Sequence, residues 1–196
     1  MLIFMIIAAV NCKKEDKTVP SPLGNDLLIW GENPSDIESL FLEKGWSRLP
    51  DSPHSIDYGL KMNEEDGKFD PVMDDVVYPY KVSLYFNENR LHMARLFRSG
   101  SSDTIADFQK KFLSMNSMNE PAWKNSENDN KEKSEYTYTS SEEIFSGKDI
   151  IAVIYKTSFI SKENSVKDEN IEIQIYSLKE NEGISVKELA EGIKSI

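Results

Sequence analysis

The chain has 196 residues, of which 39% are hydrophobic and 29% are charged, and its formal net charge is −11 at neutral pH. This balance excludes a chain that is disordered or membrane-embedded throughout. The acidic excess also argues against binding to nucleic acid, because phosphate contacts need arrays of Lys and Arg. A chain of this length suits one domain, since roughly 150 residues already bury about 70% of their unfolded surface.

An apolar run from Leu2 to Val10 opens the chain and leads through Asn11 to Cys12 and a charged segment. These residues are too few to span a bilayer as a helix, which takes about 20. Their number does fit the hydrophobic region of a secretory signal peptide. Cys12 is the only cysteine in the chain, so no disulfide can form within it.

The motif Ala9-Val10-Asn11-Cys12 resembles the processing site of bacterial lipoprotein precursors, and the resemblance covers residues 1–12 only. It implies cleavage before Cys12 and a lipid on its sulfur, which would anchor the protein in the cell envelope, facing the periplasm or the exterior. The resulting division is a signal peptide over 1–11, a flexible lipidated tether over 12–26 and a single globular domain over 27–196. The alternative is that Leu2 to Val10 is a buried element of the fold. The polar stretch after Cys12, which contains prolines, favours the signal peptide.

Three helices are predicted downstream: over 35–44, from Ser102 to before Pro121, and from Ser185 towards the end of the chain. Each has apolar residues that recur at intervals of three and four. Ser35 with Glu38, and Ser185 with Glu188, have the spacing of reciprocal helix caps. Gly45 suits the left-handed residue that follows a helix.

Strands are predicted over 27–30, 80–86, 91–97, 136–139, 150–159 and 171–178. The second and third form the best-defined hairpin, because their apolar residues alternate and Asn87-Glu88-Asn89 between them is typical of a turn. Residues 124–135 contain no apolar side chain and are predicted to form an exposed loop.

The predicted fold class is α+β, an antiparallel sheet with about three helices packed mainly on one face. A helix, a tryptophan and about three strands occur in each half of the chain, with Trp46 and Trp123 separated by 77 positions. This pattern raises the hypothesis of a duplicated helix-plus-strands unit. No motif identifies the family of the domain.

Motifs for catalysis, metals and cofactors are absent from the sequence. There is no nucleophile motif, and His54 and His92 form no zinc-ligand pattern. The acidic segment 63–75 has the oxygen ligands that a calcium site requires. However, aligning Gly67 with the glycine of a calcium-binding loop puts Met62 and Met73 where carboxylates are required. We therefore predict no catalytic residues, metal ligands or cofactor, and interpret 63–75 as a solvated loop.

Residues 90–101 contain no acidic side chain, which makes them a basic stretch in an acidic protein. Strand alternation predicts that Arg90, His92 and Arg98 share one sheet face with Lys81 and Tyr85 of the neighbouring strand. It places Leu91, Met93 and Phe97 on the opposite face. The resulting candidate binding residues are Lys81, Tyr85, Arg90, His92 and Arg98. The alternative is an ordinary polar face neutralised by nearby Asp and Glu.

These patterns favour a lipid-anchored envelope protein that binds a protein or another anionic partner without catalysis, with the membrane contacted through the lipid on Cys12. One alternative is a hydrolase-like lipoprotein enzyme whose carboxylates meet only in the fold. Another is a structural component of the envelope with no discrete ligand.

Overall fold

The computed structural model of the chain describes residues 30–50, 52–60, 68–70, 75–77, 80–129, 136–161 and 167–193. The signal peptide over 1–11, the tether with Cys12 and the strand predicted over 27–29 lie outside these residues. Their assignments therefore remain predictions.

Three helices and ten strands form within the described residues. In chain order they are α1 (Pro34–Glu43), β1 (Ser47–Arg48), β2 (Ile56–Gly59), β3 (Lys68–Asp70), β4 (Asp75–Val77), β5 (Tyr80–Asn87), β6 (Arg90–Gly100), α2 (Ser102–Met115), β7 (Trp123–Asp129), β8 (Tyr136–Ser146), β9 (Ile150–Ser161), β10 (Lys167–Ser177) and α3 (Val186–Ile193).

Eight of these strands form one antiparallel sheet in the order β1-β2-β5-β6-β10-β9-β8-β7, while β3 and β4 pair separately. The predicted α+β class is confirmed. The order is symmetric about the contact between β6 and β10, where the last strands of the two halves meet. Each half thus runs from a helix into four strands of the sheet, which is the layout that the duplication hypothesis describes.

The three helices begin within one residue of their predicted starts, but two caps differ. Asn33, not Ser35, caps α1, and its side-chain oxygen accepts the amide of Asp36 at 3.2 Å. Ser101 caps α2, one residue before the predicted Ser102. The cap of α3 has the predicted residues, since the backbone amide of Glu188 donates to Ser185 Oγ at 3.3 Å.

The first face of the sheet, which carries the paired side chains of Tyr58, Val82 and Leu96, is covered by α1 and α2. The ring of Phe41 on α1 lies 4.6 Å from that of Tyr58. The ring of Phe108 on α2 lies 5.1 Å from that of Tyr80, edge to face. Burying each such side chain contributes about 1.5–3 kcal/mol. Most of the buried apolar side chains lie on this face, which therefore holds the larger part of the core.

The second face is covered by α3, and only at the end formed by β7, β8 and β9. A smaller cluster forms there from the paired side chains of Ile144 and Val153, with Ile151 and with Ala190 of α3. The helices therefore pack mainly on one face, as predicted, with α1 and α2 on the first face and α3 on the second. The sheet has helices on opposite faces at its two ends.

Two predicted loops contain strands. In the loop predicted over 124–135, the described residues 124–129 belong to the edge strand β7, in which Trp123 is the one apolar residue. Its partner β8 explains this, because an edge strand with one solvated face needs few apolar residues. Within the acidic segment 63–75, the described residues 68–70 and 75 belong to the ladder of β3 and β4 instead of a solvated loop.

Candidate functional site

The candidate binding residues do not share one face, because a β-bulge interrupts β6. Tyr85 pairs with Met93, but the next residue, Phe86, pairs with Leu91, so His92 is an extra residue on β6. A bulge reverses the side-chain alternation beyond it. Residues before and after His92 are therefore out of phase, and the single basic face predicted from an uninterrupted strand is wrong.

Arg98 lies on the first face, among the core residues beneath α2. Its guanidinium carbon is 4.8 Å from the centre of the Tyr80 ring and 5.8 Å from that of Phe108. Burial raises the pKa of Tyr80 well above its usual range, and the adjacent Arg98 opposes that shift. A guanidinium held against two rings stabilises the packing of α2 on the sheet, which is a structural role.

Arg90 and His92 face the loop that follows β10. Arg90 Nη2 lies 3.2 Å from Glu180 Oε1, and His92 Nδ1 lies 2.9 Å from Asn181 Oδ1. The side-chain amide of Asn181 also donates to the backbone oxygens of His92 and Ser177, at 2.7 and 2.8 Å. Asn181 thus satisfies the irregular backbone at the bulge, and both candidate residues serve to hold this loop in place.

Lys81 and Tyr85 remain on the second face, as predicted, together with three residues of β6 that the bulge brings there. Lys81 pairs with Phe97 and Tyr85 pairs with Met93, while Arg95 lies between them opposite Ser83. We call Lys81, Tyr85, Met93, Arg95 and Phe97 the open sheet patch. Among the described helices, α1 and α2 pack on the other face and α3 packs at the far end of this one.

Both cations of the open sheet patch have carboxylate neighbours. Lys81 Nζ lies 3.1 Å from Asp57 Oδ2, and Arg95 Nε lies 3.8 Å from Glu172 Oε2. Burial raises the pKa of Asp57, but hydrogen bonds with Ser55, Ser83 and Lys81 lower it to below its usual value. The patch is therefore balanced in charge and is not the basic surface that the sequence predicted.

Half-buried aromatic and sulfur-containing side chains lie between these ion pairs. Tyr85, Met93 and Phe97 are each partly accessible. Tyr155 and Tyr176 continue the row towards α3. Burial, followed by the neighbouring Tyr176 and the carboxylates of Glu142 and Glu172, raises the pKa of Tyr155 to about 12, and burial also raises the pKa of Tyr176. Both tyrosines are thus neutral at physiological pH and can act as hydrogen-bond donors.

Met93, Arg95 and Phe97 are the members of the patch for which an uninterrupted strand predicts the wrong face, although the sequence carries a signal for the bulge. Buried Leu91, Ala94 and Leu96 are spaced by three and then by two residues. A change of phase within an apolar row marks a bulge. Applying it would have put Met93, Arg95 and Phe97 on the face opposite the core.

A second helix-free region lies on the first face, over β7, β8 and β9. It forms a concavity of about 300 Å³ whose lining includes Ser126, Thr139, Ser141, Lys156, Ser158 and Glu169. We call these six residues the hydroxyl pocket. Every one of them carries a hydroxyl, an ammonium or a carboxylate group, so the pocket and the open sheet patch differ in chemistry as well as in position.

None of the described helices is long and apolar enough to cross a membrane. In the same part of the chain, no group of three or more His, Cys, Asp or Glu side chains is placed to hold a metal ion. No family model, curated protein or solved structure matches the chain.

Proposed function

We propose that this protein is a lipid-anchored component of the bacterial cell envelope that binds a protein partner through the open sheet patch. The observation that carries the proposal is the composition of the patch. One tyrosine ring, one phenylalanine ring, a methionine and an arginine lie together on a sheet surface on which none of the described helices packs. Aromatic residues, Met and Arg are the types enriched at protein interfaces, and Tyr and Arg dominate binding hot spots.

The charge balance of the patch defines the partner's chemistry. Since Lys81 and Arg95 already have the acidic neighbours Asp57 and Glu172, the patch has no excess charge to attract a purely acidic ligand. We expect a partner with an apolar centre for Met93 and polar groups of both signs around it. This replaces the anionic partner inferred from an uninterrupted β6.

The anchor rests on the resemblance of residues 9–12 to a lipoprotein processing site. A single acyl chain holds a protein only marginally, whereas two or three chains hold it almost permanently. The partner would therefore be met at the membrane surface, within reach of a tether over residues 12–26. Incorporation of a labelled fatty acid into the wild type, but not into Cys12→Ser, is the expected result.

The hydrolase alternative is less well supported by the buried carboxylates. Asp57 and Glu143 each form an ion pair with a lysine, and the pKa of each carboxyl group is below its usual value. A carboxyl group that acts as a general acid near neutral pH needs the opposite shift. Binding is therefore the function that the geometry favours.

A photo-crosslinking amino acid at position 97 tests the proposal directly in the native envelope. Its matched control is the same amino acid at position 187, where the Lys side chain of α3 is 84% exposed. We expect a discrete adduct from position 97 only. Arg95→Glu should reduce the yield of this adduct by about 5–30-fold, corresponding to a loss of about 1–2 kcal/mol of binding free energy. Lys111→Glu, on the exposed side of α2, should leave the yield unchanged.

Two outcomes would overturn the proposal. Equal adducts from positions 97 and 187, or none from either, would mean that the patch is an ordinary solvated surface. An adduct of twice the mass of the chain would identify a second copy of this protein as the occupant, in place of a different partner. Circular dichroism of each variant checks that the fold is intact.

A further inference from the structure

The hydroxyl pocket is built as two adjacent rows of side chains, each of which crosses three of the four strands from β7 to β10. Ser126, Ser141 and Lys156 are successive partners in the ladder from β7 to β9. Thr139, Ser158 and Glu169 form the neighbouring row from β8 to β10. Partners within such a row have Cβ atoms about 4.5–5.5 Å apart, so one small molecule can contact several of them at once.

Opposite charges stand at different corners of this arrangement. Lys156 pairs with Ile171, two residues beyond Glu169 on β10, so Lys156 and Glu169 are diagonal neighbours at about 7–8 Å. They form no ion pair with each other. Within the described part of the chain, the ammonium group of Lys156 forms no hydrogen bond or ion pair with another side chain, although its charge helps to lower the pKa of Glu143.

The acidic corner is held in a fixed position. Glu169 Oε1 accepts hydrogen bonds from Ser102 Oγ at 2.9 Å and from Ser158 Oγ at 3.0 Å. Ser102 is the first residue of α2, and Ser158 is only 8% exposed. The carboxylate therefore connects the helix to the sheet at one end of the concavity, and its position does not depend on a ligand.

We propose that the hydroxyl pocket binds a carbohydrate unit of one or two sugar residues. A sugar presents alternating hydroxyl donors and acceptors around a ring, and this surface presents hydroxyls flanked by one ammonium donor and one carboxylate acceptor. The volume of about 300 Å³ lies at the lower end of small-molecule sites. The site is separate from the open sheet patch, so it adds a ligand to the proposed function and does not depend on it.

Other ligand classes fit the pocket less well. A phosphate or sulfate would gain Lys156 and several hydroxyls but would lie near the Glu169 carboxylate, which repels it. A divalent cation would meet Glu169 but also Lys156. An apolar ligand would leave the hydroxyls without partners, at a cost of about 1–3 kcal/mol for each one desolvated. A neutral ligand rich in hydroxyls avoids all three penalties.

Amide chemical shifts of the domain measure this binding. The probes are glucose, galactose and N-acetylglucosamine, each added to about 20 mM so that a site with a Kd of about 1 mM, or about −4 kcal/mol, is nearly saturated. At least one probe should shift the amides of residues 139–141 and 156–158. Lys156→Met and Ser141→Val should each weaken its binding by about 10-fold, corresponding to a lost charged or neutral hydrogen bond. Lys111→Met on the exposed side of α2 is the matched control and should leave the affinity unchanged.

Three results would overturn the proposal: no shift with any of the sugars, sugar binding that survives both pocket variants together, or tighter binding of inorganic phosphate than of every sugar. Lys156→Arg provides a rescue, since it keeps a donor at this corner and should retain most of the affinity. Crosslinking from position 97 is expected to be unaffected by all of these variants, so failure of this inference and failure of the proposed function are distinguishable.

Discussion

The two ends of the sheet are built from the same succession of elements, yet each has its apolar cover on a different face. At the β1–β2 end, α1 covers the first face, and none of the described helices packs on the second face. At the β7–β8 end, α3 covers the second face and leaves part of the first open. The difference teaches that the order of elements does not fix which surface is available for binding. The composition of individual side-chain rows does.

Strands β2 and β8 show how the side-chain pattern decides which face is buried. Tyr58 on β2 faces α1 on the first face, while its neighbour Asp57 faces the second face and forms an ion pair with Lys81. On β8 the pattern is reversed, because Ile144 faces α3 while Glu143 faces the side of α2. A shift of one residue in the apolar pattern exchanges the buried and solvated faces of a strand. Because β2 and β8 have opposite patterns, the sheet has two different solvated surfaces, the open sheet patch on the second face and the hydroxyl pocket on the first.

Removing the main ring contact at the first end should have the largest effect. Phe41 is 1% exposed and touches the rings of Trp46 and Tyr58. We expect Phe41→Ala to lower the free energy of unfolding by about 3–5 kcal/mol, because it removes apolar contacts and leaves a cavity. Urea denaturation measures the change. Leu42→Ala, at a neighbouring residue that is 49% exposed, should cost less than about 0.5 kcal/mol, and equal costs would contradict the assigned face of α1.

The corresponding change at the other end is Ile144→Ala. Ile144 is fully buried in the smaller cluster beneath α3. We expect a loss of about 2–4 kcal/mol, together with faster hydrogen exchange in α3 than in α1. A loss below about 1 kcal/mol would mean that α3 does not cover this face and that the comparison between the two ends is wrong.

A pH-dependent contact links α2 to the second end. Glu143 accepts hydrogen bonds from Lys124 at 2.7 Å and from Gln109 of α2 at 3.0 Å. Burial raises its pKa, but Lys124, Lys156 and Gln109 together lower it below 4.5. A carboxyl group whose pKa is lower in the folded state stabilises the fold above its unfolded pKa, and this contribution is lost as the pH falls through the folded value.

Glu143→Gln should therefore cost about 1–2 kcal/mol at neutral pH, since Lys124 is largely exposed and the ion pair is screened. Its stability should also fall less steeply than that of the wild type as the pH drops below 4.5, the ordinary value of this group. Thermal unfolding at a series of pH values measures both effects. Glu142→Gln, on the opposite face of the same strand, is the control, and an identical pH profile for the wild type and Glu143→Gln would refute the assignment.

The smallest expected effect is a gain at the β5–β6 turn. Glu88 and Asn89 have φ values of 50° and 63°, the left-handed conformation of both central residues in a tight hairpin turn. Asn tolerates this conformation better than Glu, so Glu88→Asn should stabilise the fold by up to about 1 kcal/mol. The midpoint of urea unfolding measures the gain, and a loss of stability would show that the turn has another geometry.

Much of the fold could be predicted from the sequence because its elements carry local signals. The apolar periods of α1, α2 and α3 gave their starts closely, and the alternation of β5 and the turn after it gave the hairpin. Caps were less certain, since Asn33 and Ser35 are both suitable capping residues and only the backbone conformation distinguishes them.

The binding surface depended mainly on contacts between residues that are distant in the sequence, and its one local signal is the change of phase in the apolar row of Leu91, Ala94 and Leu96. The bulge at His92 is stabilised by Asn181, which lies 89 residues further along the chain. One extra residue moved Arg98 to the core face and brought Arg95 to the open one. Likewise, β7 forms because β8 offers it a partner, not because its own side chains are apolar. Contacts between residues so distant in sequence leave no periodic pattern to interpret.

Thiol accessibility at four positions tests the central claim most directly, with one cysteine at a time introduced into Cys12→Ser. The account predicts rapid modification of Met93→Cys and slow modification of Val153→Cys on the second face, and rapid modification of Ser141→Cys and slow modification of Val82→Cys on the first. Val153 and Val82 are each 1% exposed, whereas Met93 and Ser141 are partly accessible. Protection of Met93→Cys, or rapid modification of Val153→Cys in the folded protein, would contradict the claim that the two ends of the sheet are covered on opposite faces.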